Sequence, residues 1–147
     1  MKHDQPPRGT LTALLLRLLL GALFIAHLYW KFFIRADGLD GWWTNLNNNG
    51  YPDWVVWYVL SAEFAGAILL IPGIFTRQVA LYCLPLMLAA AQYWLVRTGF
   101  FFTAAGAELP LLWSVGLLVQ AGLGDGAYAL VPSSQFPLLG RSRAAHA

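Results

Sequence analysis

Residues 11–33 read LTALLLRLLLGALFIAHLYWKFF, and the meaning of this run decides the fold. A helix needs about 20 apolar residues to cross the hydrocarbon core of a bilayer. Lys2, His3 and Arg8 in front of the run resemble the positive start of a secretory signal. The apolar stretch, however, continues to Ile34 and lacks a good small-residue cleavage site, so it is read as a first membrane helix. Three further apolar segments follow, at about 54–71, 75–96 and 102–123. Residues 34–53 form a polar, Gly- and Asn-rich loop after the first helix, and 124–147 a short C-terminal tail. Pro72-Gly73 ends the second segment, and the short turn makes segments two and three antiparallel neighbours. Pro85 inside the third predicts a kink, tolerated where neighbours satisfy the freed carbonyl. The expected fold is all-α: residues 1–147 as one antiparallel bundle of four transmembrane helices.

The composition agrees. Hydrophobic residues make up 59% of the 147 and charged residues only 11%, against about 25% charged in soluble domains. The net charge of +2 is scattered, with no basic patch for nucleic acid. Cys83 is the single cysteine, so no internal disulfide, zinc or iron–sulfur site is expected. His27 is the one histidine inside a span, because His3 and His146 lie in the tails; a haem held by two histidines is therefore not expected. No phosphate loop, nucleotide fingerprint or Ser/His/Asp constellation is present.

Loop charges orient the bundle. An even number of spans puts Lys2, Arg8, Arg77, Arg141 and Arg143 on one side and Lys31, Arg35 and Arg97 on the other. The excess places both termini in the cytoplasm, in a bacterial inner membrane. Trp30, Trp42, Trp43, Trp54, Trp57 and Trp94 then gather at the outer end with Tyr29, Tyr51, Tyr58 and Tyr93, while Trp113 lies deeper. These rings read either as an interfacial belt or as the walls of an outer recess, with Trp42-Trp43 in its lid.

Polar residues inside the spans are costly and so informative. Arg17 and Glu63 lie on helices running in opposite directions and are expected to form a structural ion pair, with Ala62 and Gly66 allowing close approach. His27 and Lys31 share a helix face. A protonated His27 would be repelled by Lys31, so it is read as neutral. Glu108 lies at a similar outer depth, at the start of the fourth helix. Gln92 and Gln120 are either interhelical glue or ligand contacts. The candidate ligand set is His27, Lys31, Gln92, Trp94 and Glu108; no catalytic residue and no metal ligand is assigned.

Several pieces of the chain, taken in order, resemble the DoxX family of small four-helix membrane proteins. They are Arg17-Leu18-Leu19-Leu20-Gly21 with the later Lys31; Gly50-Tyr51-Pro52; and Glu63 with Gly66. The turn Pro72-Gly73-Ile74-Phe75-Thr76-Arg77 is the best single match. Gly106-Ala107-Glu108-Leu109-Pro110 and Gly124-Asp125-Gly126-Ala127-Tyr128 complete the set. The resemblance runs from about Leu16 to Leu130; the Asn- and Trp-rich first loop departs from it. It implies a subunit of quinone-linked redox or oxidative-stress complexes, with a quinone or other small apolar ligand at the outer side, no covalent cofactor, and a protein partner or a second copy of the chain. The alternatives are a non-catalytic accessory subunit and, third, a small transporter along Arg17, Glu63 and His27.

Overall fold

The structure is a computed structural model that describes residues 8–135. Lys2, Arg141 and Arg143, used above to orient the chain, lie outside them. Five α-helices form, and no strand appears among the described residues. Helix α1 spans Arg8–Tyr29 and runs on as a π-helical turn, Trp30–Ile34. Then come α2, Gly38–Asn48; α3, Asp53–Leu69; α4, Thr76–Thr98, which continues through Pro85; and α5, Glu108–Leu123. Helix α1 packs on α3 and α5, α4 packs on the same two, and α2 lies against α3 and the π turn.

Two boundaries differ from the sequence reading. The fourth apolar segment does not start a helix at 102: Phe102–Ala104 make a single 3-10 turn and Ala105 is left-handed, with φ 57°. The chain turns back there, with the amides of Ala107 and Glu108 donating to the carbonyls of Gly99 and Phe100. A side chain on Gly106 would meet those carbonyl groups at 2.6 Å, so glycine permits the reversal. Secondly, the polar loop 34–53 contains α2. Leu39, Trp42, Trp43 and Leu46 recur at helical spacing and form one apolar stripe, which packs on Val56, Val59 and Leu60 of α3.

The distribution of polarity is inverted. Leu15, Ile68, Val96 and Leu112 are more than 60% exposed, while Arg17, Lys31 and Glu63 are 1–2% exposed. That pattern suits a lipid surround, where charge faces inward. Thr10–Ile34, 25 residues, and Thr76–Thr98, 23 residues, are long and apolar enough to cross a membrane. Helices α3 and α5 have 17 and 16 residues, about 24–26 Å of helical rise.

Contacts fix the register of α1 against α3. A side chain on Gly21 would strike Ile71 at 2.6 Å, one on Gly66 would strike the Phe24 ring, and Lys31 meets Glu63. Numbers rise along α1 as they fall along α3, so these two helices run in opposite directions. Fully buried Phe24, Leu70 and Leu117 fill the interior between the two ends.

The expected pairing of Arg17 with Glu63 is not formed. Arg17 and Lys31 are about 21 Å apart along an α-helix, and Glu63 lies at the Lys31 end. The first two turns of α3 extend past α1 and pack on α2 instead, which places Glu63 farther from Arg17 than the spans suggested. Arg17 instead donates from Nη1 to the carbonyl of Asp125 (2.7 Å) and from Nη2 to that of Ala127 (2.9 Å). Gly73, at φ 73°, passes so close that a Cβ there would collide with the guanidinium.

Arg17 thereby holds down residues 124–135 as a strap over the ends of the helices. The Ala127 amide donates to the Thr10 carbonyl, Leu130 to Pro72, and Phe75 to Val131. The Asp125 carboxylate accepts from the Ser133 amide at 2.9 Å and from its hydroxyl. Hydrogen bonds from charged donors contribute about 1.5–3 kcal/mol. Arg17→Met is therefore expected to speed amide exchange at Ala127, Leu130 and Val131 about tenfold or more while leaving the α3 amides around Glu63 protected. Unchanged protection of the strap would refute this role for Arg17.

Candidate functional site

Lys31 lies in the π turn of α1, marked by the bond from the Arg35 amide to the Trp30 carbonyl at 2.9 Å. Such turns frequently occur at functional sites. The turn leaves the Lys31 side chain facing α3 rather than reaching outward to the interface. Its Nζ donates to both carboxylate oxygens of Glu63, at 2.6 and 2.5 Å. The ring of Trp42, brought in by α2, covers the ammonium at 3.9 Å from its centroid. The pair is thus closed off on both sides, with Lys31 and Glu63 each 2% exposed.

Above this pair lies a recess of about 200 Å³. Helix α1 contributes His27 and Trp30 to its lining, α2 contributes Asn45 and Leu46, α3 contributes Val55 and Val59, and α4 contributes Met87, Tyr93 and Trp94; Tyr51 joins them from the α2–α3 connection. His27 is exposed along the recess edge and sits edge-on to Trp113 of α5, ring centroids 5.6 Å apart. Trp113 does lie deeper, its ring 4.8 Å from that of Phe24.

Of the five candidate ligand residues, His27, Lys31 and Trp94 come together at the recess; Gln92 and Glu108 do not. Gln92 is exposed on the outside of α4, one residue short of the face that carries Tyr93. Glu108 accepts a hydrogen bond from the Phe102 amide at 3.1 Å and so closes the loop before α5. It pairs with neither Lys31 nor Arg97. Gln120 is buried and donates to the Gly124 carbonyl at 2.8 Å, a structural contact. Trp42, read as part of a lid over the recess, does lie there, over the ammonium; missed by the sequence reading are Glu63 as part of the recess and its pairing with Lys31 under that cover. The apolar stripe of α2 was the signal for that cover. Trp54 and Trp57, 69% and 64% exposed, point outward. Among the described residues no three His, Cys, Asp or Glu side chains converge to hold a metal.

At the rim, Arg35 binds Asp37 through its Nε and, at 2.8 Å, through Nη2. Arg97 stacks on the Tyr93 ring at 3.6 Å and donates to Asn49 at 2.7 Å. At the α3 start, the Asp53 carboxylate accepts from the Trp43 indole at 2.9 Å and the Asn47 amide at 3.0 Å.

Residues 12–103 match the model of the DoxX family, a stretch that takes in Arg17, Lys31, Glu63 and every residue of the recess. The chain belongs to the DoxX family. It is also 35% identical over 119 residues to an uncharacterised protein of Haemophilus influenzae, an alignment covering 78% of this chain and 84% of the relative. No solved structure matches it. With its lipid-suited surface and apolar helices, this DoxX chain is a membrane protein.

Two outcomes follow from the site of this DoxX protein. Removing one partner of a buried ion pair costs about 3–5 kcal/mol, whereas removing both is often neutral. Lys31→Met and Glu63→Gln should each lower the thermal stability of the protein in detergent, and the double variant should recover most of the loss. Additive losses in that cycle would mean that the pair carries no coupling. The second outcome concerns pH. The bond from Arg35 holds the exposed Asp37 carboxyl below its ordinary value of 3.8. A depressed folded-state value means the clamp is complete above the ordinary value and is lost as pH falls through the lowered one. Exchange of the Gly38 and Gly41 amides at the α2 start should therefore rise on acidification below about pH 4, and Asp37→Asn should abolish that dependence. A dependence that survives in Asp37→Asn would place its origin elsewhere.

Proposed function

We propose that this DoxX protein is a small inner-membrane subunit of a quinone-linked redox or oxidative-stress complex. In this reading α1, α3, α4 and α5 are four antiparallel transmembrane helices, with both termini in the cytoplasm and α2 lying over the outer face. The recess beneath α2 holds a quinone or another small apolar ligand. The observation that carries the reading is the aromatic-walled recess itself, built over a buried Lys31–Glu63 pair. Flat rings stack favourably on such walls, and ligand sites typically combine apolar lining with a few fixed polar groups.

The chain's own groups suit holding and orienting rather than electron transfer. Lys31 is committed to Glu63 and Trp42. His27 remains as the titratable group at the recess edge, placed to exchange a proton with a bound oxygen. Electrons would come from a partner protein docked on the lipid-facing helices or beside Trp43 of α2. A specific observation also favours a second reading. Because the ion pair satisfies both of its members, the site stands complete without a ligand, as a non-catalytic accessory subunit would require.

Gentle-detergent extraction from native membranes, with mass spectrometry of proteins and extracted lipids, separates these readings. The expected result is a stoichiometric redox protein together with retained quinone. A redox protein without quinone would support the accessory reading; a lone chain with phospholipid only would overturn both.

A further inference from the structure

The recess is electrically balanced, and we propose that this balance makes it select its guest by charge, taking an uncharged molecule and refusing an anion or a cation of the same size. The inference rests on the reading of the recess as a ligand site and adds the charge rule that governs what occupies it.

The case is an account of every charge that faces the space. An ammonium group has three donors and no acceptor. Lys31 gives its protons to the two oxygens of Glu63, at 2.6 and 2.5 Å, and turns its remaining side to the Trp42 ring at 3.9 Å. Neither member of the pair has charge left over. Arg35 lines the recess and is held by Asp37. His27, one helical turn from Lys31, stands at the recess edge against the Trp113 ring. Arg97 stacks behind Tyr93 and turns to Asn49, away from the lining.

An anion entering this space would lose its hydration and find no uncommitted cation, a cost that burial makes large. A cation would find aromatic faces, which attract it, but it too would shed its hydration, with Glu63 committed to Lys31 and Asp37 to Arg35. An uncharged molecule bears neither penalty. Tyr51, Tyr93 and Trp94 are among the lining residues, and aromatic walls suit a flat, uncharged ring. The ion pair thus acts as a neutral polar floor: a change in either of its members should change the charge of the accepted guest.

The test uses the full-length protein in phospholipid nanodiscs and native mass spectrometry to count bound probes that share a decyl tail: decyl-benzoquinone, decyl sulfate and decyltrimethylammonium. Recess binding is the part lost in Val59→Trp, which fills the space from α3, with Leu46→Trp as a second filling variant. The expected result is recess binding of the benzoquinone alone. Glu63→Gln, which leaves Lys31 uncompensated, should raise recess binding of decyl sulfate about tenfold or more. The Lys31→Met/Glu63→Gln double variant, neutral again, should return to the selectivity of the unaltered protein, and it carries the test if the single variant does not fold. Recess binding of decyl sulfate or decyltrimethylammonium by the unaltered protein would overturn the charge rule and leave the recess standing as a ligand site. Acceptance of the anion by the double variant would overturn the rule as well. Binding of none of the probes would overturn the ligand reading and this inference together.

Discussion

A charge taken out of water must meet its partner inside the protein, and the architecture of this chain follows from three such charges. On insertion scales each costs about 2.5–3.5 kcal/mol at the centre of a membrane helix. The two ends of the molecule meet that demand differently. At one end Lys31 and Glu63 neutralise each other across α1 and α3. At the other, Arg17 is held by the backbone carbonyls of Asp125 and Ala127. Between them the interior is apolar and tightly packed, with Phe24 against Gly66 and Gly21 against Ile71. Charge is confined to the ends because only there can α2 or the strap complete its surroundings.

The recess is a by-product of covering the Lys31–Glu63 pair. Helix α2 must bring Trp42 over Lys31, so its apolar stripe is anchored on the first two turns of α3. Those turns stand clear of α1, and α4 brings Tyr93 and Trp94 to the remaining side. Space is left where four elements meet over a polar floor. The same two residues therefore neutralise each other and form the floor of the recess.

Much of this was legible beforehand. The apolar run of α1 declared a membrane helix, Pro72-Gly73 marked a tight turn, and the in-span charges were recognised as the informative residues. The family resemblance was recognised from short motifs, several of which now have physical reasons; Gly73, for one, is where the chain passes the Arg17 guanidinium. Three things were not legible, each for a reason of geometry. Helix α2 was hidden because asparagines and glycines surround its four apolar residues. The partner of Glu63 was misjudged because depth was counted along the sequence, without knowing that α3 extends past α1. Gln92 and Glu108 share the outer level with the recess, but facing direction, which level alone does not give, excludes them.

The strap has a consequence for how the chain comes to be made. Glu63 follows Lys31 by 32 residues, whereas the carbonyls that hold Arg17 lie 108 and 110 residues beyond it. At synthesis rates of about 5–20 residues per second, the Lys31–Glu63 pair can close within seconds of Lys31 emerging. Arg17 waits until Asp125 and Ala127 have been made. The molecule is therefore fastened in a set order, the Lys31–Glu63 end first and the strap last, and the strap closes only when α5 and residues 124–131 have arrived. A chain truncated before Asp125 would keep the recess elements and lack the carbonyls that hold Arg17, so that the last-made contacts settle the earliest buried charge of α1.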